Sequence, residues 1–391
     1  MSGYQIRHAL PADRAAIISF MNTHWGSEHP LVNNPVFFQY YYMPTPGVLQ
    51  FCLSEDEEGI AALCGYIRAG AGENASVWVS IWCARKNARG AGLALMGEMQ
   101  ALTKCDCLAC NNIRANTMPF YTFLGYTARR LPHFYRLADK ATYTVAHVAE
   151  KPVNANCATP PAGCEQSTNS AVTQAQATQP TGCTKQVAGS TRRAPAPLLA
   201  AQGGRAGNSP AAAHKPANTP LLVPIHTLAD LAGRFTPPTG TYPTKDLWYI
   251  GRRYFEYPFP QQEYLVYGVP GESSHFDALL VLRCVPVERV NVLRLVDYIG
   301  PPALFGTLGP AISQVMAHFA AEYIDCYCYG IPPAIFEQAG FCERLPDSAN
   351  IIPNYLTPIL RENTEYYFFT SEENSFTLFK ADGDQDRPNL K

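Results

Sequence analysis

Asn87-Ala-Arg-Gly-Ala-Gly92 is the stretch on which the fold turns. Before it lies an apolar run, Ser76–Cys83, that reads as a strand. After it, Leu95, Met96, Met99 and Leu102 make one helical stripe that ends at Lys104. Glycines at a strand-to-helix junction let backbone amides approach a phosphate, and the helix N-terminus adds partial positive charge. Arg89 adds a full one. Taken alone, the run describes an ordinary turn equally well.

Working outward, a second element follows the next strand, Cys107–Ile113. Met118-Pro-Phe-Tyr121-Thr-Phe-Leu-Gly125-Tyr126 reads as a short helix bearing Tyr121 and closed by a glycine C-cap. Upstream, Tyr4–Leu10 reads as a strand, and Pro11-Ala-Asp13 opens a helix with Ile17, Phe20, Met21 and His24 on one face. A shorter aromatic helix is expected at Pro35–Tyr42. Strands are expected at Val48–Leu53 and Ile60–Ala69, on either side of the acidic turn Glu55–Gly59.

This β-α-α-β-β-β-α-β-α-β order, with Arg89-Gly-Ala-Gly92 and a tyrosine 29 residues beyond Gly92, resembles the GNAT family of acyl-CoA-dependent N-acetyltransferases. The resemblance covers residues 4 to about 140. It implies acetyl-CoA as co-substrate, with the pyrophosphate held by Arg89, Gly90, Ala91, Gly92 and Leu93, and an added contact from Asn116. It also implies backbone amides near Trp82, Cys83 and Ala84 facing the acyl carbonyl, and Tyr121 as the acid for the departing thiolate. Asn87 stands where the family has Gln or Arg, and the Asn-x-x-Ala preceding the tyrosine is missing.

The loop His24-Trp-Gly-Ser-Glu28-His29 borders the acceptor pocket in that family. Glu28 and His29 are candidates for acceptor or proton handling, and they read equally well as solvated loop residues. His24 continues an apolar stripe and reads as structural. Trp82 lines the acceptor side or packs under the first helix. The mixture of His, Glu and Trp suits an amino sugar, with an aromatic face for the ring and polar groups for hydroxyls and amine.

From Leu221 the pattern repeats. Strands are expected at Tyr264–Val269, Ala278–Val287, Val292–Ile299 and Tyr323–Gly330, with a helix carrying Ile312, Val315, Met316 and Phe319. Phe336-Glu-Gln-Ala-Gly340-Phe341 stands 215 residues after the Tyr121 motif. Phe336 cannot donate a proton, and Pro310 removes an amide where an anion would want one. The second module therefore reads as a degenerate copy. Its expected roles are acceptor binding, completion of the first domain's sheet, or dimer contacts. The expected class is α/β of α+β type: two GNAT-like modules, each a mixed, mostly antiparallel sheet flanked by helices. The tail Lys380–Asn389 reads as a turn-rich end, not a calcium loop, and resembles tails of acetyltransferase-like proteins from bacterial surface-polysaccharide gene sets.

Composition divides the chain. None of its 45 aromatic residues lies in 151–220, which holds 16 Ala and 9 Pro and carries a net charge of +5. Such a segment cannot bury enough apolar surface to offset its ordering entropy. The expected organisation is residues 1–145 as the active GNAT domain, 146–220 as a disordered linker, and 221–391 as the degenerate module. A net charge of −2 argues against nucleic-acid partners. No apolar run is long enough to span a membrane, and no leader is visible at Met1, so a cytoplasmic protein is expected. The 13 cysteines sit singly in apolar runs. The exception is Cys105-Asp-Cys107-Leu-Ala-Cys110, where Cys105 and Cys107 should share a strand face and no fourth ligand stands near. No metal is expected.

The leading expectation is an acetyl-CoA-dependent N-acetyltransferase acting on a nucleotide- or lipid-linked amino sugar in surface-glycan assembly. The alternatives are an aminoacyl or peptide-acceptor transferase, which would need a basic channel, and a non-catalytic binding or scaffold protein on the same fold. A homodimer is left open.

Overall fold

Proline and asparagine set the start of the amino-terminal half. Pro11 opens the turn before the first helix, and Asn34 caps another by accepting from the amides of Val36 and Phe37. The computed structural model describes residues 3–25, 28–151, 222–354 and 360–388. The first half runs β1 (Gln5–His8), α1 (Arg14–His24), α2 (Pro30–Asn33), α3 (Pro35–Tyr42), β2 (Phe51–Asp56), β3 (Gly59–Arg68), β4 (Val77–Ala84), α4 (Ala91–Thr103), β5 (Leu108–Ile113), α5 (Met118–Phe123), β6 (Thr127–Leu131) and β7 (His133–Leu137).

The second half runs β8 (Val223–Ile225), α6 (Leu247–Ile250), β9 (Leu265–Pro270), β10 (Phe276–Val287), β11 (Val290–Ile299), α7 (Pro302–Gly306), α8 (Gly309–His318), β12 (Ala321–Tyr329), α9 (Pro333–Gln338), β13 (Cys342–Arg344), β14 (Tyr366–Thr370) and β15 (Leu378–Phe379). The result is a mixed α/β architecture, two mixed sheets flanked by helices. One sheet has seven strands in the order β1-β2-β3-β4-β5-β14-β6. The other has eight, in the order β13-β7-β12-β11-β10-β9-β8, with β15 against β12. All pairings are antiparallel except β4 with β5 and β11 with β12.

Each half lends the other a strand. β14 inserts between β5 and β6 of the first sheet, and β7 inserts between β12 and β13 of the second. Completion of the first sheet was one of three roles open to the second half, and β14 fills it. Phe368 and Phe369 on β14 are fully buried, and each such ring is worth roughly 2–3 kcal/mol in burial. The exchange is also locked electrostatically. His133 on β7 bonds Asp325 on β12 at 2.9 Å, and Arg344 donates to its other ring nitrogen at 2.9 Å. Arg294 pairs with Asp325 as its cation, since His133 accepts from Arg344 and stays neutral.

Most of the expected linker lies outside the described residues. Its first residues are held in place: Glu322 accepts from the amides of Thr144, Val145 and Ala146, and Asn350 from those of Ala149 and Glu150. One further expectation needs correction. Cys105 and Cys110 share the core beneath α4, whereas Cys107 packs on the opposite face with Trp78; β5 starts only at Leu108, so strict alternation does not reach back to Cys105. The tail is turn-rich, as expected, but it is built into the core: Lys380, Asp382, Asp384 and Asp386 are all buried.

Candidate active site

β4 and β5 pair only at Val77–Leu108 and Trp78–Ala109, then diverge, although β4 continues to Ala84 and β5 to Ile113. The cause lies partly in β4. Its register against β3 slips between Gly65–Ile81 and Tyr66–Val79, leaving Ser80 as an extra, bulged residue, and a bulge bends its strand. Ser80 Oγ lies 2.8 Å from the hydroxyl of Tyr42. The amide of Arg85 donates to Ala61 on β3. By alternation, the amides of Ile81 and Cys83 also face β3, and those of Trp82 and Ala84 face the open side.

Beyond the bulge the side chains sort by face. Ile81 and Cys83 enter the core under α1 and α3, and Trp82 and Ala84 lie on the α4 face. Trp82 therefore packs on the α4 face and not under the first helix. Its ring stacks on Phe120 at 5.0 Å and lies against Gly92, where an added Cβ would come within 3.1 Å of it. The buried indole N–H of Trp82 has no hydrogen-bond partner among the described residues.

The loop from β4 into α4 behaves as its glycines predict. Gly90 has φ +83°, and Ala91 is fully buried at the helix start. No side chain caps α4, and the amides of Gly92 and Leu93 have no backbone acceptor among the described residues. Arg89 is exposed, with its carbonyl held by the Tyr4 hydroxyl at 3.1 Å. Arg85 ties the loop to the acidic β2–β3 turn through Asp56 at 2.5 Å and Glu58 at 3.1 Å. Leu93 is exposed, and Asn116 is exposed in the turn before α5.

Tyr121 is buried on the same face as Trp82, its ring stacked on Phe369 at 4.2 Å and 6.3 Å from Trp82. Burial pushes its phenol well above the usual tyrosine range. Phe336 occupies the matching position in the second half and stacks on Phe134 at 3.9 Å. Each of the two aromatics thus rests on the strand donated by the other half.

On the opposite face, Glu28 is exposed, and His29 caps α2 by accepting from Leu31 at 3.3 Å. Trp25 meets the His29 ring edge-on at 5.1 Å, and His24 packs on Phe20 at 4.5 Å. Burial, reinforced by Arg387, lowers the pKa of His29, so the ring is neutral at pH 7.

A short resemblance pointed to the tail, but nothing in its residues announces its contacts with β4 and β5. Gly383 lies against Trp78, where a Cβ would sit 3.4 Å from that of the tryptophan. Asn111 on β5 donates to the carbonyls of Phe379 and Asp382, both at 3.1 Å, and Asn112 to Gln385 at 3.2 Å. The tail therefore crosses from β4 to β5 where the two strands part. Its composition, rich in Asp and Gly, resembled a surface turn, and only the burial of its alternate carboxylates reveals otherwise.

No family model and no curated protein matches the chain. Solved structures do. A GCN5-related N-acetyltransferase from Anabaena variabilis aligns with 94% of this chain and 72% of its own length, at 9% identity and a TM-score of 0.48. An Enterococcus faecalis protein described as a probable N-acyltransferase aligns with 94% of this chain and 71% of its own, at 8% identity and a TM-score of 0.45. N-acetylglutamate synthase from Neisseria gonorrhoeae, solved with coenzyme A and N-acetyl-glutamate, aligns with 33% of this chain and 29% of its own, at 14% identity and a TM-score of 0.25. These likenesses are remote, and the chemistry is derived from the strands and helix already described. Among the described residues, no group of three or more His, Cys, Asp or Glu could hold a metal ion, and no helix is long and apolar enough to cross a membrane.

Proposed function

We propose that the chain is an acyl-CoA-dependent N-acyltransferase of GNAT type with one working site, the divergence of β4 and β5. The observation that carries this is the bulge at Ser80, which parts the two strands immediately beside an uncapped helix N-terminus. The residues suit the donor. Arg89 and the amides of Gly92 and Leu93 would hold a pyrophosphate at the positive end of α4. Gly92 keeps the approach narrow against Trp82, and the orphaned Trp82 N–H awaits an acceptor.

Acyl-CoA supplies an acyl carbon that exchanges its bond to sulfur for one to nitrogen. The amides of Trp82 and Ala84 face the side on which negative charge would develop on the acyl oxygen. Tyr121, on the same face as Trp82, carries its proton at neutral pH as any phenol does and would be the acid for a leaving thiolate; burial raises its pKa and so holds that proton more tightly than in a free phenol. Holding both reactants in one cleft is worth up to about 7–11 kcal/mol of the barrier when the geometry is right. The acceptor is a small-molecule amine, read as an amino sugar of surface-glycan assembly, and the acyl group as acetyl. Support comes from the exposed aromatic face of Trp25 with the polar His29 and Glu28 beside it.

Thermal stabilisation by acetyl-CoA, lost in Arg89→Glu, is the expected result. Absence of any shift at millimolar acetyl-CoA would remove the enzyme reading. Turnover against a panel of amines, read by mass because 13 thiols disturb colorimetric detection, then identifies the acceptor.

A further inference from the structure

The second half holds the tail in a fixed path. Lys245 pairs with Asp297 at 2.7 Å and Asp382 at 2.9 Å. Arg253, fully enclosed, donates to the carbonyls of Ala381 at 3.0 Å and Gln385 at 2.7 Å. Arg283 pairs with Asp386 at 2.5 Å. Every one of these anchors belongs to the second half, yet the residues between them face the first. Asp384 is buried, and its carboxylate takes one bond from Arg387 at 2.7 Å and another from Gln385 at 3.0 Å.

Arg387 is the part of the tail left with capacity. Its Nη1 serves Asp384, and its Nε and Nη2 have no partner among the described residues. The side chain keeps 27% of its surface open, whereas Asp384 keeps 7%. Its electrostatic neighbours are Asp384, Lys380, His29, Tyr41, Tyr42 and Tyr257. Gly383 lies against Trp78 on β4 and Gln385 bonds Asn112 on β5, so Arg387, two residues further on, stands at the strand divergence. A guanidinium with a free edge is built to take a planar or tetrahedral anion in two parallel hydrogen bonds.

We infer that Arg387 is a specificity-determining residue and that the acceptor amine carries an anionic group, carboxylate or phosphate, which binds its free edge. This rests on the acyl-transfer reading above and narrows it: an uncharged or polycationic amine is a poor acceptor. The second half then acts on the reaction by presenting the tail.

The test uses the full chain, acetyl-CoA, and matched acceptors differing only in charge: a free amino sugar against its phosphate ester, and an α-amino acid against its amide. Wild type should favour the anionic member of each pair at least tenfold in kcat/KM, mostly through KM. A preference for both phosphate and carboxylate marks general anion binding; preference for one identifies the group. In Arg387→Gln the anionic-to-neutral ratio should fall about tenfold, Arg387→Lys should restore part of it, and Arg387→Glu should reverse it towards cationic amines. Equal wild-type rates on both members of every pair, or a ratio unmoved by charge reversal, overturns the inference while leaving acyl transfer standing. Failure of wild type to acylate any amine overturns both.

Discussion

The amide of Ala381 donates to the carbonyl of Val296 at 3.0 Å. Val296 is the bulged residue of β11, where the register against β10 slips between Val281–Asp297 and Leu282–Leu295, and so corresponds to Ser80 in the first half. β11 and β12 pair in parallel only as far as Leu295–Cys326. Beyond that point the chain's own Leu378 and Phe379 pair with Tyr329 and Cys328. The second divergence therefore exists, and the tail fills it from both edges. A donor has no room there, in keeping with the loss of Tyr at position 336 and of the Arg-Gly-x-Gly run.

Weakening that plug should damage the first site. Phe379 is fully buried, so Phe379→Ala should cost about 3–5 kcal/mol through the cavity it leaves. Chemical denaturation would measure the loss. Acyl transfer should fall even at temperatures where the variant stays folded, because Asn111 and Trp78 lose their register with the tail. Full activity in a folded Phe379→Ala protein would show the tail to be a passive filler.

Gly92→Val should leave the fold largely intact and weaken the donor site. The new side chain would begin 3.1 Å from the Trp82 ring and 3.3 Å from the Ala84 Cβ, forcing the indole into the cleft. The expected outcome is at least a tenfold rise in the dissociation constant for coenzyme A by calorimetry, and an unchanged constant refutes the placement.

Tyr121→Phe removes one hydroxyl from a stacked ring and should barely alter melting. If the phenol is the acid, kcat should fall by about 10²-fold or more with little change in KM. A rate within threefold of wild type removes Tyr121 from the chemistry.

The tail latch should report on pH. Burial, offset in part by Lys245, raises the Asp382 carboxyl to about 6. A folded-state pKa raised above the unfolded value contributes stability that is complete below about 4 and is lost as pH rises through 6. Buried His133 acts in the opposite sense. Burial lowers its pKa, so its contribution is present above pH 6.5 and declines as acid protonates the unfolded chain. The two are separated by subtraction. Wild type should gain on Asp382→Asn by up to about 3 kcal/mol between pH 6.5 and pH 4, and parallel stability curves would show that Asp382 does not titrate in this range.

The first half was legible because its signals are local. The Gly90–Gly92 run, the α4 stripe and the Tyr121 helix were readable from spacing alone, and the strands fell within a few residues of their expected bounds. The repeat in the second half was readable for the same reason, as was the substitution at Phe336. The bulge at Ser80 has no sequence mark, since an extra strand residue is defined only against its partner.

By itself the sequence determined the long strands and helices of both halves, though not the short β8, β13, β14 and β15, and where glycine and arginine could meet a phosphate; those depend on backbone preference and periodicity within a few residues. Tertiary structure alone decided that β7 and β14 change sheets, that the tail enters the second divergence, and that Asp384 and Arg387 reach the first. The physical reason is that an acidic tail is costly to bury unless paired. Its partners, Lys245, Arg253 and Arg283, lie more than 100 residues away in sequence, where no local pattern can announce them.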